Sequence, residues 1–451
     1  MNPGRQGGSA ADLTLDRLLM PLGPTAAVEV EGRAEQSAWL HSGDWRVYAR
    51  PAQTRSRGEE VARFRLEDGR VLGARVDPDR GIASLPFDPS EAYRSYVSEA
   101  WAQGSSARHL SSGQLDLFYR VKRFFPRRAL LSARRLLMRW QGLPEFPAWP
   151  LDASVSRLLR FYAYCLLRAR GATEGEFAWF WPQGKRTALI LTHDVEGVQG
   201  FRGALELADL EEGLGFRSSF NLGAWYDVDP GFVRELTSRG FEIGLHSLHH
   251  DRSLFESRAS FESQLPGIAE LRERLGADGF RSPATHRVFD WLAELPVAYD
   301  CTIPNSDPYE PQPGGCCSVW PFFIGPVVEL PYTLTQDHTV FTLLGHRSPA
   351  LWLEQAAAVE REHGLIQCPA HPDPGYMGDR EKRAYYAEFL RAMADREHIW
   401  HALPREVAAW WRERDSGAAS GAPGRIRIGD SPAEVDFEPP AEVPAARGGV
   451  A

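Results

Sequence analysis

Short stretches in which apolar and polar residues alternate occupy positions 27–31, 45–48, 61–66 and 71–76, with Gly and Asp turn signals between them, Asp68-Gly69 included. Period-two alternation puts one set of side chains on each face of a strand, so this part of the chain predicts a small antiparallel sheet. Positions 89–170 read mainly as helix. From about 187 the pattern changes. Compact apolar runs at 187–192, 218–222, 241–245, 327–330 and 365–368 are separated by helical stretches at 232–239, 261–275 and 350–362, among others. Strand-like runs alternating with helices predict an α/β fold, a parallel sheet or barrel with its functional groups at the C-terminal ends of the strands. The organisation expected is a flexible N-terminus (1–24), an N-terminal accessory region of small antiparallel sheet then helices (25–175), a catalytic α/β domain (176–414) and a disordered tail (415–451). The tail is assigned on its Gly, Ala, Pro and acidic content and its few large apolar residues.

Polar residues cluster at or just beyond those runs. Asp194 and Glu196 end the first one, and two-residue spacing puts both carboxylates on one face of a strand. His246 and His250 follow another run and share a face if the chain turns helically there. Two imidazoles and one carboxylate can converge on a cation and leave positions open for water and substrate, as a hydrolytic metal centre requires. Spacing alone leaves open which acid would bind the metal and which would stay free as a base. His193 alternates with Asp194 and should face the other way. His249 should be rotated off the face of its two neighbours.

In chain order, Thr192-His-Asp-Val-Glu196, His246-Ser-Leu-His-His250, Arg281-Ser-Pro283 and Cys368-Pro-Ala-His-Pro372 resemble the motifs of the polysaccharide deacetylases, carbohydrate esterase family four. The resemblance spans residues 180–405. Its first motif departs from the family's two adjacent aspartates in having Asp-x-Glu, the mark of a divergent branch. The resemblance implies a distorted, incomplete (β/α) barrel of about seven strands. It implies a metal-dependent hydrolase that removes N-acetyl groups from a sugar or polysaccharide precursor. In that reading Asp194 is the base, Glu196, His246 and His250 are the metal ligands, Arg281 holds the base, His371 is the general acid and Asp337 supports that acid. Asp373 either orients the His371 ring or shapes a turn. The cation is a divalent metal, zinc by its His and carboxylate ligands, with cobalt and nickel as alternatives. Trp225, Tyr226, Trp320 and Tyr376 fall in predicted loops, where they either pack or stack on sugar faces. Two other readings stay open: the same centre acting on a non-sugar C–N bond, and a glycan-binding relative without catalysis.

Bulk properties narrow the setting. The 451 residues carry a net charge of −9, which argues against general nucleic-acid binding. No apolar run approaches the length of a membrane span, and the first residues lack the apolar core of a signal peptide. Five scattered cysteines read as reduced thiols of a cytoplasmic protein. Residues 120–139 contain eight basic and no acidic side chains. Arg127, Arg128, Arg134, Arg135 and Arg139 interleave there with leucines. The stretch reads either as a domain-packing helix or as a peripheral contact with the inner membrane surface.

Overall fold

The computed structural model describes residues 15–19, 26–54, 58–104, 142–419 and 421–440. The basic stretch 120–139 lies outside the described residues, as does most of 1–24. No helix among the described residues is long and apolar enough to cross a membrane.

The N-terminal strands are β1 (Ala27–Glu29), β2 (Ala38–Ser42), β3 (Trp45–Ala49), β4 (Glu59–Leu66), β5 (Val71–Asp77) and β6 (Ile82–Ser84). They form one sheet in the order β1-β6-β5-β4-β2-β3. Every pairing is antiparallel except β1 with β6, since β1 is separated in the chain from its neighbour by the rest of the sheet. Alternation does its work in β3, where Trp45, Val47 and Ala49 are buried while Arg46 and Tyr48 are only half covered. The inner face packs on the helix Ser154–Ala169. Trp45, Phe64 and Phe161 meet at centroid distances of 5.5–5.6 Å, and Phe87 packs edge-on against Phe64 at 5.2 Å. Such tilted and edge-on contacts add to area burial.

The second half supplies β7 (Glu174–Phe177), β8 (Thr187–Val195), β9 (Ser219–Leu222), β10 (Glu242–Leu245), β11 (Gly279–Phe280), β12 (Tyr299–Asp300), β13 (Phe322–Ile324), β14 (Val327–Glu329), β15 (Leu365–Ala370) and β16 (Ile399–His401). From β8 onward these make a nine-stranded sheet, β13-β14-β12-β11-β10-β9-β8-β15, with β16 also on β8. All of its pairings are parallel except β13 with β14. All nine residues of β8 are buried, as expected of a central parallel strand covered on both faces.

The sheet curls into an incomplete barrel. Between β14 and β15 there is no ladder. The segment after β14 bridges the gap through Leu334 N donating to Gln367 O (3.1 Å), Thr333 Oγ1 to Leu365 O (2.8 Å) and Gln367 N to Thr333 Oγ1 (3.0 Å). This is the distorted, incomplete α/β barrel expected from the sequence, with eight parallel strands where about seven were expected. The strands of this sheet not anticipated, β11, β12, β13 and β16, have only two or three residues, too short to leave an apolar run.

Two expectations are corrected. The tail is not disordered over its described part: β17 (Gly424–Ile428) and β18 (Val435–Glu438) form a three-stranded antiparallel sheet with β7. Few large apolar residues suffice there, because Ile426, Val435 and Phe437 all point into the core. Likewise 15–19 is not loose. Leu15, Leu18 and Leu19 are buried, and the buried Arg414 guanidinium donates to Arg17 O (3.0 Å), Leu18 O (2.7 Å), Ala178 O (2.8 Å) and Trp179 O (3.1 Å). Glu99, two residues past the helix Pro89–Val97, holds the buried Arg287 through both carboxylate oxygens (2.6 and 2.5 Å), only six residues beyond Arg281. This part of the chain is thereby tied to the loop that follows Arg281. All five cysteines are buried free thiols.

Candidate metal centre

The C-terminal ends of β8, β9, β10, β11 and β15 converge, and with them the polar residues singled out in the sequence. Asp194 is the penultimate residue of β8, and Glu196 is the first residue past it. His246 directly follows β10, its amide donating to Leu222 O of β9 (2.8 Å). The turn is not helical. Ser247 takes a left-handed conformation (φ 77°), and its carbonyl accepts from Ala224 N (3.1 Å). The chain therefore doubles back through a kink, and it is this kink that returns His250 towards His246, not a shared helix face. His249 is exposed, and His193 points to the opposite side of β8. There its Nε2 meets Glu211 Oε1 at 2.6 Å, and Tyr386 donates to the same oxygen (2.6 Å).

Ligand atoms of Glu196, His246 and His250 all lie within 4.8 Å of one another. His250 Nε2 is 2.6 Å from Glu196 Oε2, and His246 Nε2 is 4.0 Å from Glu196 Oε1. The set fits a divalent cation for a further reason. His246 Nδ1 sits 2.9 Å from Arg281 O, a carbonyl that can only accept, so Nδ1 carries the hydrogen and Nε2 presents its lone pair. That Nε2 is buried and has no protein partner. Burial lowers the His246 pKa, keeping the ring neutral as a ligand must be. Burial pushes the Glu196 carboxyl up, but the His250 hydrogen bond and the charges of His250, His371 and His246 outweigh it and leave it lowered.

Asp194 lies behind this trio. Arg281 Nε forms an ion pair with its Oδ2 at 2.8 Å, and Asn221 Nδ2 donates to its Oδ1 (2.7 Å). Burial raises its pKa, and Arg281, His246, His371 and Asn221 more than reverse that, holding it at about 2. Arg281 is itself buried, with Nη1 3.3 Å from Cys301 O and the guanidinium 4.9 Å from the Tyr332 ring centroid. It fixes the carboxylate from one side only, with a single nitrogen, and Asn221 fixes the other.

His371 follows β15. Its Nε2 is 4.0 Å from Asp194 Oδ2 and 3.6 Å from Glu196 Oε1. Asp337 grips it from behind: Oδ1 is 2.6 Å from Nδ1, and Oδ2 accepts the His371 amide (3.0 Å). Burial lowers the imidazole pKa, but Asp337 and the Glu196 and Asp194 charges overcome it and raise it to about 10. Asp373 does not orient this ring. Its Oδ2 instead accepts from Glu196 N (2.9 Å).

The aromatic residues divide. The half-buried Trp225 ring lies 5.0 Å from His250 and 5.6 Å from His246, with Nε1 donating to Glu196 O (3.1 Å). The half-buried Tyr376 ring lies 5.0 Å from His371. Tyr226 braces β8 through its hydroxyl to Val195 O (2.7 Å). Trp320 is core: it is fully buried, stacks on Phe180 and donates to His363 O (3.0 Å).

Asn221 escaped the sequence reading. Its register opposite Asp194 across β8 and β9 was the available signal, supported by Gly244 next to it on β10, where a Cβ would collide with the Asn221 amide oxygen.

No protein-family model matches the sequence, and no curated protein matches it. Among solved structures, a protein described as a polysaccharide deacetylase from Mycobacterium smegmatis is 22% identical, over 52% of this chain and 93% of its own, with a TM-score of 0.43. One so described from Pseudomonas aeruginosa PAO1 is 17% identical over 52% and 93%, with a TM-score of 0.41. The allantoinase PuuE is 16% identical over 51% and 92%, with a TM-score of 0.40.

Proposed function

We propose that this protein is a metal-dependent hydrolase that removes N-acetyl groups from a sugar or sugar polymer. The observation that carries the reading is the placement of the Asp194 carboxylate and the His371 imidazole 4.0 Å apart beside the Glu196, His246 and His250 cluster. Two titratable groups driven in opposite directions by their surroundings divide naturally into base and acid.

Glu196, His246 and His250 would hold the cation, zinc by the chemistry of this donor set. A bound divalent cation supplies an acidified water and polarises the amide carbonyl. The protein's own residues do the rest. Asp194 accepts the proton of the attacking water, and Arg281 and Asn221 keep its carboxylate aimed. His371 delivers a proton from Nε2 to the departing nitrogen, while Asp337 holds Nδ1 and steadies the cationic ring. Trp225 and Tyr376 flank the centre as amphipathic walls on which a sugar ring can lie.

The division of labour is testable through His371→Ala. An amine leaves only when protonated, whereas an activated aryl ester leaves without help. On an N-acetyl amide the variant should lose roughly 10²–10⁴-fold in kcat, the usual worth of a general acid. On p-nitrophenyl acetate the loss should be far smaller. Equal losses on the two substrates would mean that His371 only supports the structure.

A further inference from the structure

Asp373 has no place in the proton transfers above, yet it is 2% exposed beside the cluster. Its Oδ2 accepts the amide of Glu196 (2.9 Å), and its Oδ1 is buried with no protein partner. The loop that carries it is tightly wound: Tyr376 N and Gly378 N donate to Asp373 O (3.1 and 3.2 Å), and Met377 N donates to His371 O (2.9 Å). Glycines make room for this loop against the helix Gly200–Gly213. A Cβ at Gly200 would stand 2.7 Å from both carboxylate oxygens of Asp373, and one at Gly203 would collide with Pro372 O. The carboxylate thus sits at the start of that helix. Glu196 lies on the short connection between β8 and this helix, and beyond the strand end Asp373 and Trp225 hold its backbone, one at the amide and one at the carbonyl.

We infer that Asp373 is a positioning residue. By pinning the Glu196 amide it fixes the direction in which that carboxylate meets the cation, and it ties the ligand to the loop that carries His371. The inference rests on the reading of Glu196 as a metal ligand. Loss of a group that orients a ligand typically weakens metal binding by about 10–100-fold.

The test is zinc affinity of the full-length protein, measured by competition with a chromophoric chelator, with melting of the metal-free protein followed alongside. Asp373→Ala should weaken zinc binding by about 10–100-fold. Asp373→Asn keeps an oxygen for the Glu196 amide and should return affinity to within a few-fold of the parent. Gly200→Ala removes no charge but forces the carboxylate aside, and should weaken zinc as Asp373→Ala does. This variant keeps the test decisive should Asp373→Ala fail to fold. If Glu196→Gln leaves zinc affinity unchanged, the ligand reading itself fails. If Glu196→Gln weakens binding while Asp373→Ala or Gly200→Ala does not, the positioning role is overturned. Equal weakening by Asp373→Ala and Asp373→Asn would also overturn it, assigning the effect to charge and not to the pinned amide.

Discussion

Asp194→Asn should abolish nearly all hydrolysis, by roughly 10²–10⁴-fold, while bound zinc stays at the parental level. The amide cannot accept the proton of a water. It can keep the surrounding geometry, since its oxygen can face Arg281 and Asn221 can turn its own amide to accept from the new NH2. What the substitution does remove is the negative charge opposite a guanidinium that is 1% exposed. Breaking a buried pair costs up to roughly 3–5 kcal/mol, so a lower melting temperature should accompany the lost activity. Activity is therefore read well below the variant's own transition. Zinc content by elemental analysis separates the two acids. If the variant is instead depleted of metal and recovers at high zinc, Asp194 is a ligand and its role exchanges with that of Glu196.

His246→Ala and His250→Ala should both cripple metal binding, and they should differ in stability. Each removes one of three proposed ligands, so affinity should fall by more than the roughly 10–100-fold typical of an outer-shell substitution. His246 is 2% exposed and its Nδ1–H satisfies Arg281 O, so its loss leaves a buried carbonyl unpaired, at about 1–3 kcal/mol. The His250 side chain is 39% exposed, and its truncation should leave the metal-free protein's melting almost unchanged. His249→Ala should alter neither quantity. Zinc titration and melting of the metal-free proteins check all three, and full zinc affinity in His246→Ala would remove this residue from the ligand set.

Much of the site was legible in the sequence because its chemistry lies next to strong periodic signals. The runs ending at Asp194, His246 and His371 are apolar because their strands are buried, and a charged or imidazole side chain at the end of such a run stands out. Arg281 was legible through its motif, although the strand behind it has only two residues. Other features depend on contacts between distant segments and leave no local trace. Asn221 matters because β9 lies in register beside β8. Asp373 was noticed beside His371, but its partner is 177 residues away, which no spacing reveals. The pairing of His246 and His250 was recognised for a wrong reason: a kink at Ser247 brings them together where a helical turn was expected. Composition misled at 424–438, where three apolar side chains are enough to anchor β17 on β7 and β18 on β17.

Acetate release from a panel of N-acetylated sugars, by protein stripped with a chelator and then titrated with zinc, tests the metal centre and the assigned reaction together. The stripped protein should release no acetate, and activity should return with zinc and saturate at one zinc per chain. Undiminished release after stripping would contradict the metal centre, and no acetate from any sugar at any zinc level would contradict the assigned reaction.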